Sequence, residues 1–345
     1  MTLRSEIFEQ PERIENLLAS QRRNVEQVAA EIRRRGVEYV LLAARGTSDN
    51  AGRYANYLLG VMNGLPLALA APSLFTYYKR PLYLKNALVI GVSQSGASPD
   101  IAAALEEGKR RGCLTLALTN DVRSPLANAS ELVLDIHAGR EKAVAATKTY
   151  TAELMTIAML SVALSGVEKR WKELGRVANW MRSALKQDDF ISQAVERYRY
   201  ADRAIVLGRG FNYATAFEWA LKLKELAYVM AEPYSPADFA HGPIAMLESG
   251  FPVFAVAPKG KVFPSMQQML LRLKKEQAAD LVVVSNDKRA LALAQIPLMI
   301  PADIPEWLSP LTSVLPAQLF AHHLTLAKGH NAEKPRAIHK ITRTK

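Results

Sequence analysis

The stretch GVSQSGASPD, residues 91–100, gathers three serines and a glutamine where an apolar run, NALVI, gives way to a helical pattern, IAAALEEGKRRG. Neutral donors collected at a helix start suit a phosphate. Free backbone N–H groups and the positive end of the helix dipole supply part of the binding, and short hydroxyls supply the rest without crowding. Ser93, Gln94, Ser95 and Ser98 are the candidate donors, Gly96 permits close backbone approach, and Ser98-Pro99 marks the helix start. A second strand end, AARGTSDNAG (43–52), adds Gly46, Thr47 and Ser48 as candidate contacts. A single serine-rich turn is more often a cap and nothing else. This one is denser than capping requires, and a matching turn elsewhere in the chain, Ala257-Pro258-Lys259, does without hydroxyls.

Titratable residues gather further along. In FNYATAFEWALKLKELAYVMAEPYSPADFAHGP, Glu218, Lys222 and Glu225 stand at i, i+4 and i+7, on one helical face. The positions 164 residues earlier are Tyr54, Leu58 and Val61. Aromatic and aliphatic side chains therefore meet the structural need of that stripe, and charge placed in it points to a site with perturbed ionisation. His241, in a turn closed by Gly-Pro, is an acid/base candidate because its pKa lies near neutrality. His322 and His323 lie in an apolar helical run and read as packing residues. Lys340, in EKPRAIHKITRTK, reads on position alone as part of a solvated basic tail.

The elements that must carry these residues form a repeat. VEYVLLAA, ALVIGVS, LTLALTN and LVLDIHA alternate with helical patterns, and RAIVLGRG, PVFAVAP, LVVVSND and PLMIPAD do so again. Gly46 matches Gly210, and residues 87–96 match 251–260, both at an offset of 164; residues 116–121 match 282–287 at 166. The pattern predicts an α/β protein of two tandem doubly wound parallel sheets flanked by helices, with ligand sites at the carboxyl ends of the strands. The predicted segments are an N-terminal helical segment (1–36), a first domain (37–185), a second domain (186–330) and a C-terminal tail (331–345). Residues 167–200 read as a helical connector.

Composition sets outer bounds. The chain has 345 residues, 49% hydrophobic and 22% charged, with a formal net charge of +11. Its basic residues are scattered along helix faces and not interleaved with aromatics, which speaks against nucleic acid and fits a small anionic ligand. Cys113 is the only cysteine, so no disulfide framework or thiol zinc site is expected, and a cytoplasmic setting is the default. The longest apolar run, 154–166, is too short for a bilayer and reads as a buried helix.

Together, GTS near 46, SQSG at 93, VAATK at 144, the LGRG–ALKLKE–HGP series and the terminal PRxxxK resemble the sugar isomerase (SIS) double-domain family. The likeness is close to the isomerase half of glucosamine-6-phosphate synthase. It implies that Ser48, Ser93, Gln94, Ser95 and Ser98 bind a sugar phosphate, with Gly46, Thr47, Ala145 and Ala146 touching the substrate. It implies that Glu225 moves a proton between C1 and C2, that His241 from a partner subunit assists ring opening, and that Lys222 and Glu218 support the site. Lys340 falls where the synthase keeps an imine-forming lysine, which replaces the tail reading.

Departures shape the expected reaction. The synthase begins with a glutaminase domain led by cysteine, whereas this sequence opens Met1-Thr2-Leu3, so no glutaminase activity is expected. Ala146 stands where the synthase has serine, and SPADFAHGP differs from its approach to the histidine. Both look more like free-standing SIS-type glucosamine-6-phosphate deaminases. The resemblance thus implies conversion of glucosamine 6-phosphate to fructose 6-phosphate and ammonia by a homodimer with shared active sites. No metal or cofactor is expected, because the amine or imine serves as electron sink, and no nucleic-acid or membrane partner is expected. A fructosamine-6-phosphate deglycase, another sugar-phosphate isomerase and a non-catalytic sugar-phosphate sensor are the alternatives.

Overall fold

The computed structural model describes residues 2–80 and 82–340. Met1 and residues 341–345, assigned above to the terminal segments, lie outside the described residues. Among those described, ten strands form two five-stranded sheets. The first contains β1 (Tyr39–Ala43), β2 (Leu67–Leu69), β3 (Ala87–Val92), β4 (Leu114–Thr119) and β5 (Leu132–Asp135). The second contains β6 (Arg203–Gly208), β7 (Met230–Tyr234), β8 (Pro252–Val256), β9 (Asp280–Ser285) and β10 (Ile296–Met299). The orders are β2-β1-β3-β4-β5 and β7-β6-β8-β9-β10, and every pairing is parallel. The two sheets therefore share one topology, as the repeat predicts.

The strands form where aliphatic residues run without alternation. Every residue of β3, β4, β8 and β9 is buried, which is the signature of a parallel sheet covered on both faces. Around them the chain makes two compact units. The first unit holds Glu9–Glu141, Ala146–Arg176 and residues 339–340; the second holds residues 2–8, Lys142–Ala145 and Val177–Ile338. The helix Lys148–Ser165 is buried on almost every side, as expected of the long apolar run. The 167–200 connector is helical, with helices Glu168–Leu174, Val177–Leu185 and Asp188–Ala194. The segment before β1 is a single helix, Leu3–Arg34. Among the described residues no helix is long and apolar enough to cross a membrane.

In each sheet the connections leave the first and third strands in opposite directions. β1 leads to β2 on one side and β3 leads to β4 on the other, so the carboxyl ends of β1 and β3 flank a switch point, where open α/β sheets bind ligands. The two turns singled out above, 43–52 and 91–100, leave those two strand ends. The second sheet has its switch point at β6 and β8.

In the second unit a nest of rings fixes the helix Tyr213–Lys222. Trp219 stacks on Phe254 with centroids 5.1 Å apart, and Phe320 lies edge-on to both. This packing sets the rotation of that helix, and hence the direction of Glu218 and Lys222.

Candidate functional site

The serine loop begins at the end of β3 and closes on the helix Pro99–Arg110. Ser93 Oγ accepts from the Gly96 N–H at 3.2 Å, and Ser95 Oγ accepts from the Ala97 N–H at 3.3 Å. Both hydroxyls are acceptors within the loop, which leaves their protons for an incoming oxyanion. Ser98 takes the N-cap position with extended backbone, but its side chain makes no capping bond. Gly96 has φ 61°, and a Cβ there would lie 2.0 Å from Ser124 Oγ. The residue must be glycine, because the loop closes onto the next strand's turn.

Two partners of this loop escape sequence inspection. Arg45, leaving β1, donates from Nε to Asp100 Oδ2 at 2.8 Å, and Asp100 is fully buried in the first turn of the helix Pro99–Arg110. Arg45 thereby offsets the carboxylate nearest the helix start and leaves the dipole to an external anion. Ser48 Oγ donates to Glu153 Oε1 at 2.7 Å, both groups being buried. Its proton points inward in this structure, unlike those of Ser93 and Ser95. Gly46 is exposed with φ 54° and Thr47 is half-buried beside it.

In the second unit the charged stripe is buried. Glu218 and Lys222 are 0% and 1% exposed; Tyr54 and Leu58, their counterparts, are equally buried. Val61 differs: it is 69% exposed, so the fold does not bury the position matching Glu225. Lys222 Nζ lies 2.5 Å from Glu225 Oε2 and 3.4 Å from Glu218 Oε1. Burial works against the Lys222 ammonium, but Glu218 and Glu225 outweigh it and hold its pKa above the ordinary lysine value. Lys222 is therefore a fixed cation and not a base. Glu225, with a quarter of its side chain exposed, is the member of the cluster that a ligand can reach. It lies in a π-helical turn, Leu223–Ala227, which extends the helix Tyr213–Lys222. Such turns often accompany functional sites.

Lys340 is not a solvated tail residue. Its Nζ donates to Glu141 Oε2 at 3.1 Å, and Glu141 has no exposed side-chain surface. The same carboxylate accepts from the Thr147 and Lys148 N–H groups at 2.6 and 2.8 Å, and from the Thr147 and Thr149 hydroxyls. Burial opposes its charge, but Lys340, Thr149 and Thr147 outweigh that and hold its pKa below the usual glutamate value. Glu141 thus ties the VAATK segment to Lys340. Within that segment Ala145 is buried and Ala146 half-buried. In the second unit the preceding part of the tail is anchored too: Arg336 lies 4.4 Å over the Tyr228 ring and donates its N–H to the Tyr228 hydroxyl.

His241 caps the helix Pro236–Ala240 at its C-terminal end and is exposed. The structure brings it to none of the other candidate residues by hydrogen bond or ion pair among the described residues. His322 is buried as expected, but His323 is not simply a packing residue. Its Nε2 lies 2.7 Å from Asp188 Oδ1, because the helix Ser309–Ala327 presents that position to the connector. No group of three or more His, Cys, Asp or Glu side chains is placed to hold a metal ion among the described residues.

Comparison with known proteins agrees with the two-domain fold. The SIS domain family profile matches residues 35–163 and 198–328. The glutamine–fructose-6-phosphate aminotransferase [isomerizing] of Thermococcus kodakarensis is 34% identical over 345 residues, covering 97% of this chain and 56% of that protein. The chain thus spans little more than half the length of that relative. Among solved structures, a candidate phosphosugar isomerase from Silicibacter pomeroyi DSS-3 superposes with a TM-score of 0.87 at 32% identity, over 96% of this chain and 100% of that one. A glucosamine-6-phosphate deaminase from Thermotoga maritima shares the fold, with a TM-score of 0.79 at 21% identity and full coverage of both chains.

Proposed function

From the premise that the chain belongs to the SIS domain family, with a match in each half, we propose that it is an enzyme acting on an amino-sugar 6-phosphate. The favoured reaction is deamination of glucosamine 6-phosphate to fructose 6-phosphate and ammonia. One observation carries the reading: the second copy buries Glu218 and Lys222 where the first buries Tyr54 and Leu58. Replacing a buried ion cluster by apolar residues is commonly neutral or stabilising. The fold can do without this one, so its retention is better explained by chemistry.

The phosphate is taken by Ser93, Gln94, Ser95 and Ser98 at the helix start, with Ser48, Thr47 and Gly46 on the neighbouring strand end. His241, contributed by the partner in a homodimer, promotes ring opening. Glu225 removes the C2 proton of the open-chain aldose and delivers it to C1 through an enolamine, leaving an imine at C2. Water adds to that carbon, and ammonia leaves as the ketone forms. Lys222 keeps a positive charge beside Glu225 throughout, and Lys340 orients the chain or forms an imine with the ketose. The C1 carbonyl oxygen takes the electron pair as the C2 proton leaves, and the nitrogen lone pair forms the imine as C1 is protonated, so the sequence of steps calls on no metal.

Similarity to the aminotransferase supports a second reading, in which the same proton shift runs backwards and ammonia is added to fructose 6-phosphate. One assay separates the two. Ammonia is measured with glucosamine 6-phosphate as sole substrate, beside fructosamine 6-phosphates and aldose 6-phosphates, and amination is measured with fructose 6-phosphate and an ammonium salt. Ammonia release from glucosamine 6-phosphate supports deamination. Turnover confined to another member of the panel replaces it, and binding of all without turnover of any would leave a sensor.

A further inference from the structure

The turn after β8 repeats the serine loop in spacing. In each copy a glycine stands four residues beyond the last strand residue, and the helix opens three residues later: Val92, Gly96 and Pro99 in one, Val256, Gly260 and Phe263 in the other. The hydroxyls are gone from the second turn, yet the N–H groups at its helix start are occupied. Glu306 Oε2 accepts from the Lys261 N–H at 2.9 Å, and Oε1 accepts from the Val262 N–H at 3.4 Å. These residues match Ala97 and Ser98 of the serine loop. Gly260 faces the same carboxylate: a Cβ there would lie 2.0 Å from Glu306 Cδ. Gly96 meets Ser124 instead.

The carboxylate is delivered by a fixed backbone. Glu306 opens a short 3₁₀ turn whose next residues, Trp307 and Leu308, are buried, and its carbonyl accepts from Ser309 Oγ at 2.7 Å. Arg209, the counterpart of Arg45, donates to Ser265 Oγ at 2.6 Å in the first turn of the helix Phe263–Glu276. The second copy thus keeps the backbone donors and the close-approach glycine and sets them against an oxyanion of its own, while its neighbouring arginine holds Ser265. Two backbone N–H bonds to a carboxylate at a helix start match what such a site offers a phosphate oxygen.

We propose that Glu306 is an internal stand-in for phosphate in the second copy. It confines each chain to one phosphorylated ligand, at the serine loop, and its removal opens a second oxyanion site of the same class. The stoichiometry rests on the serine-loop reading above; the second site does not. The test uses inorganic phosphate, followed by titration calorimetry and thermal melting, on the whole protein and on Glu306→Ala, Ser95→Ala and the double variant.

One phosphate per chain is expected for the wild type, weakened by about tenfold or more in Ser95→Ala. Glu306→Ala should gain a second phosphate, and the double variant should keep that one. Glu306→Ala should also melt lower than wild type and recover more with added phosphate or formate. If it takes up no additional phosphate and recovers no more than wild type, the inference is overturned while the serine-loop reading stands. If Ser95→Ala binds as wild type does, the serine-loop reading fails, and a phosphate gained by Glu306→Ala would still support the second site. Should Glu306→Ala not fold in dilute buffer, Glu306→Ser and refolding in phosphate take its place, and no response of either to phosphate overturns the inference.

Discussion

Glu225 and Lys222 form a pair of which only Glu225 is open to a ligand. Lys222 is enclosed and held cationic by two carboxylates, while Glu225 keeps an open side. Glu225→Gln retains the shape and loses the base, so turnover should fall by about 10²–10⁴-fold with KM little changed; steady-state kinetics with glucosamine 6-phosphate check this. Ser95→Ala should do the opposite, raising KM with a smaller effect on kcat. The spacing of Glu218, Lys222 and Glu225 made this cluster legible, because neighbours on one helix face are close in sequence. Glu141 was not legible. Its partner Lys340 is 199 residues away, and nothing local in GREKAV marks a buried carboxylate. Arg45 and Asp100, 55 residues apart, were hidden for the same reason.

At the scale of the element, the helices differ in how well their pattern foretold their use. Glu218, Lys222 and Glu225 read as one helical face, and the π-helical turn at Leu223–Ala227 leaves no trace in that spacing. The helix Ser309–Ala327 read as uniformly apolar, which hid the Asp188 partner of His323. His322, on the same helix, has its pKa pushed down to about 4 by burial and then by its neighbour His323. It is neutral in the folded state, whereas the unfolded chain takes up a proton near pH 6.5. Stability is therefore full above about pH 6.5 and declines as pH falls towards 4, by on the order of 1–3 kcal/mol from this group. His322→Leu should flatten that part of the profile, read as the difference between wild-type and variant denaturant midpoints at pH 7 and pH 4.5.

For the whole molecule, the architecture was the most legible feature, because duplication states each strand twice and parallel strands write themselves as unbroken aliphatic runs. The sequence also located the charged helix, through what the other copy keeps in its place. It did not reveal that Glu306 fills the second copy's counterpart of the serine loop, since a plug and its socket share no local pattern. The assembly carries a prediction of its own. If His241 serves the neighbouring subunit, Glu225→Gln and His241→Asn homodimers should each be nearly inactive. Mixing and re-annealing them should restore about a quarter of wild-type activity, because half of the dimers formed are mixed and half of their sites are intact. Absence of recovery in confirmed mixed dimers would place His241 beside its own chain's Glu225.

The bond between Lys340 and Glu141 makes one ammonium a latch on a carboxylate with no side-chain surface open to solvent. A batch clipped so that Lys340 is lost would leave that buried charge without its cation, so intact mass belongs beside activity in judging any preparation.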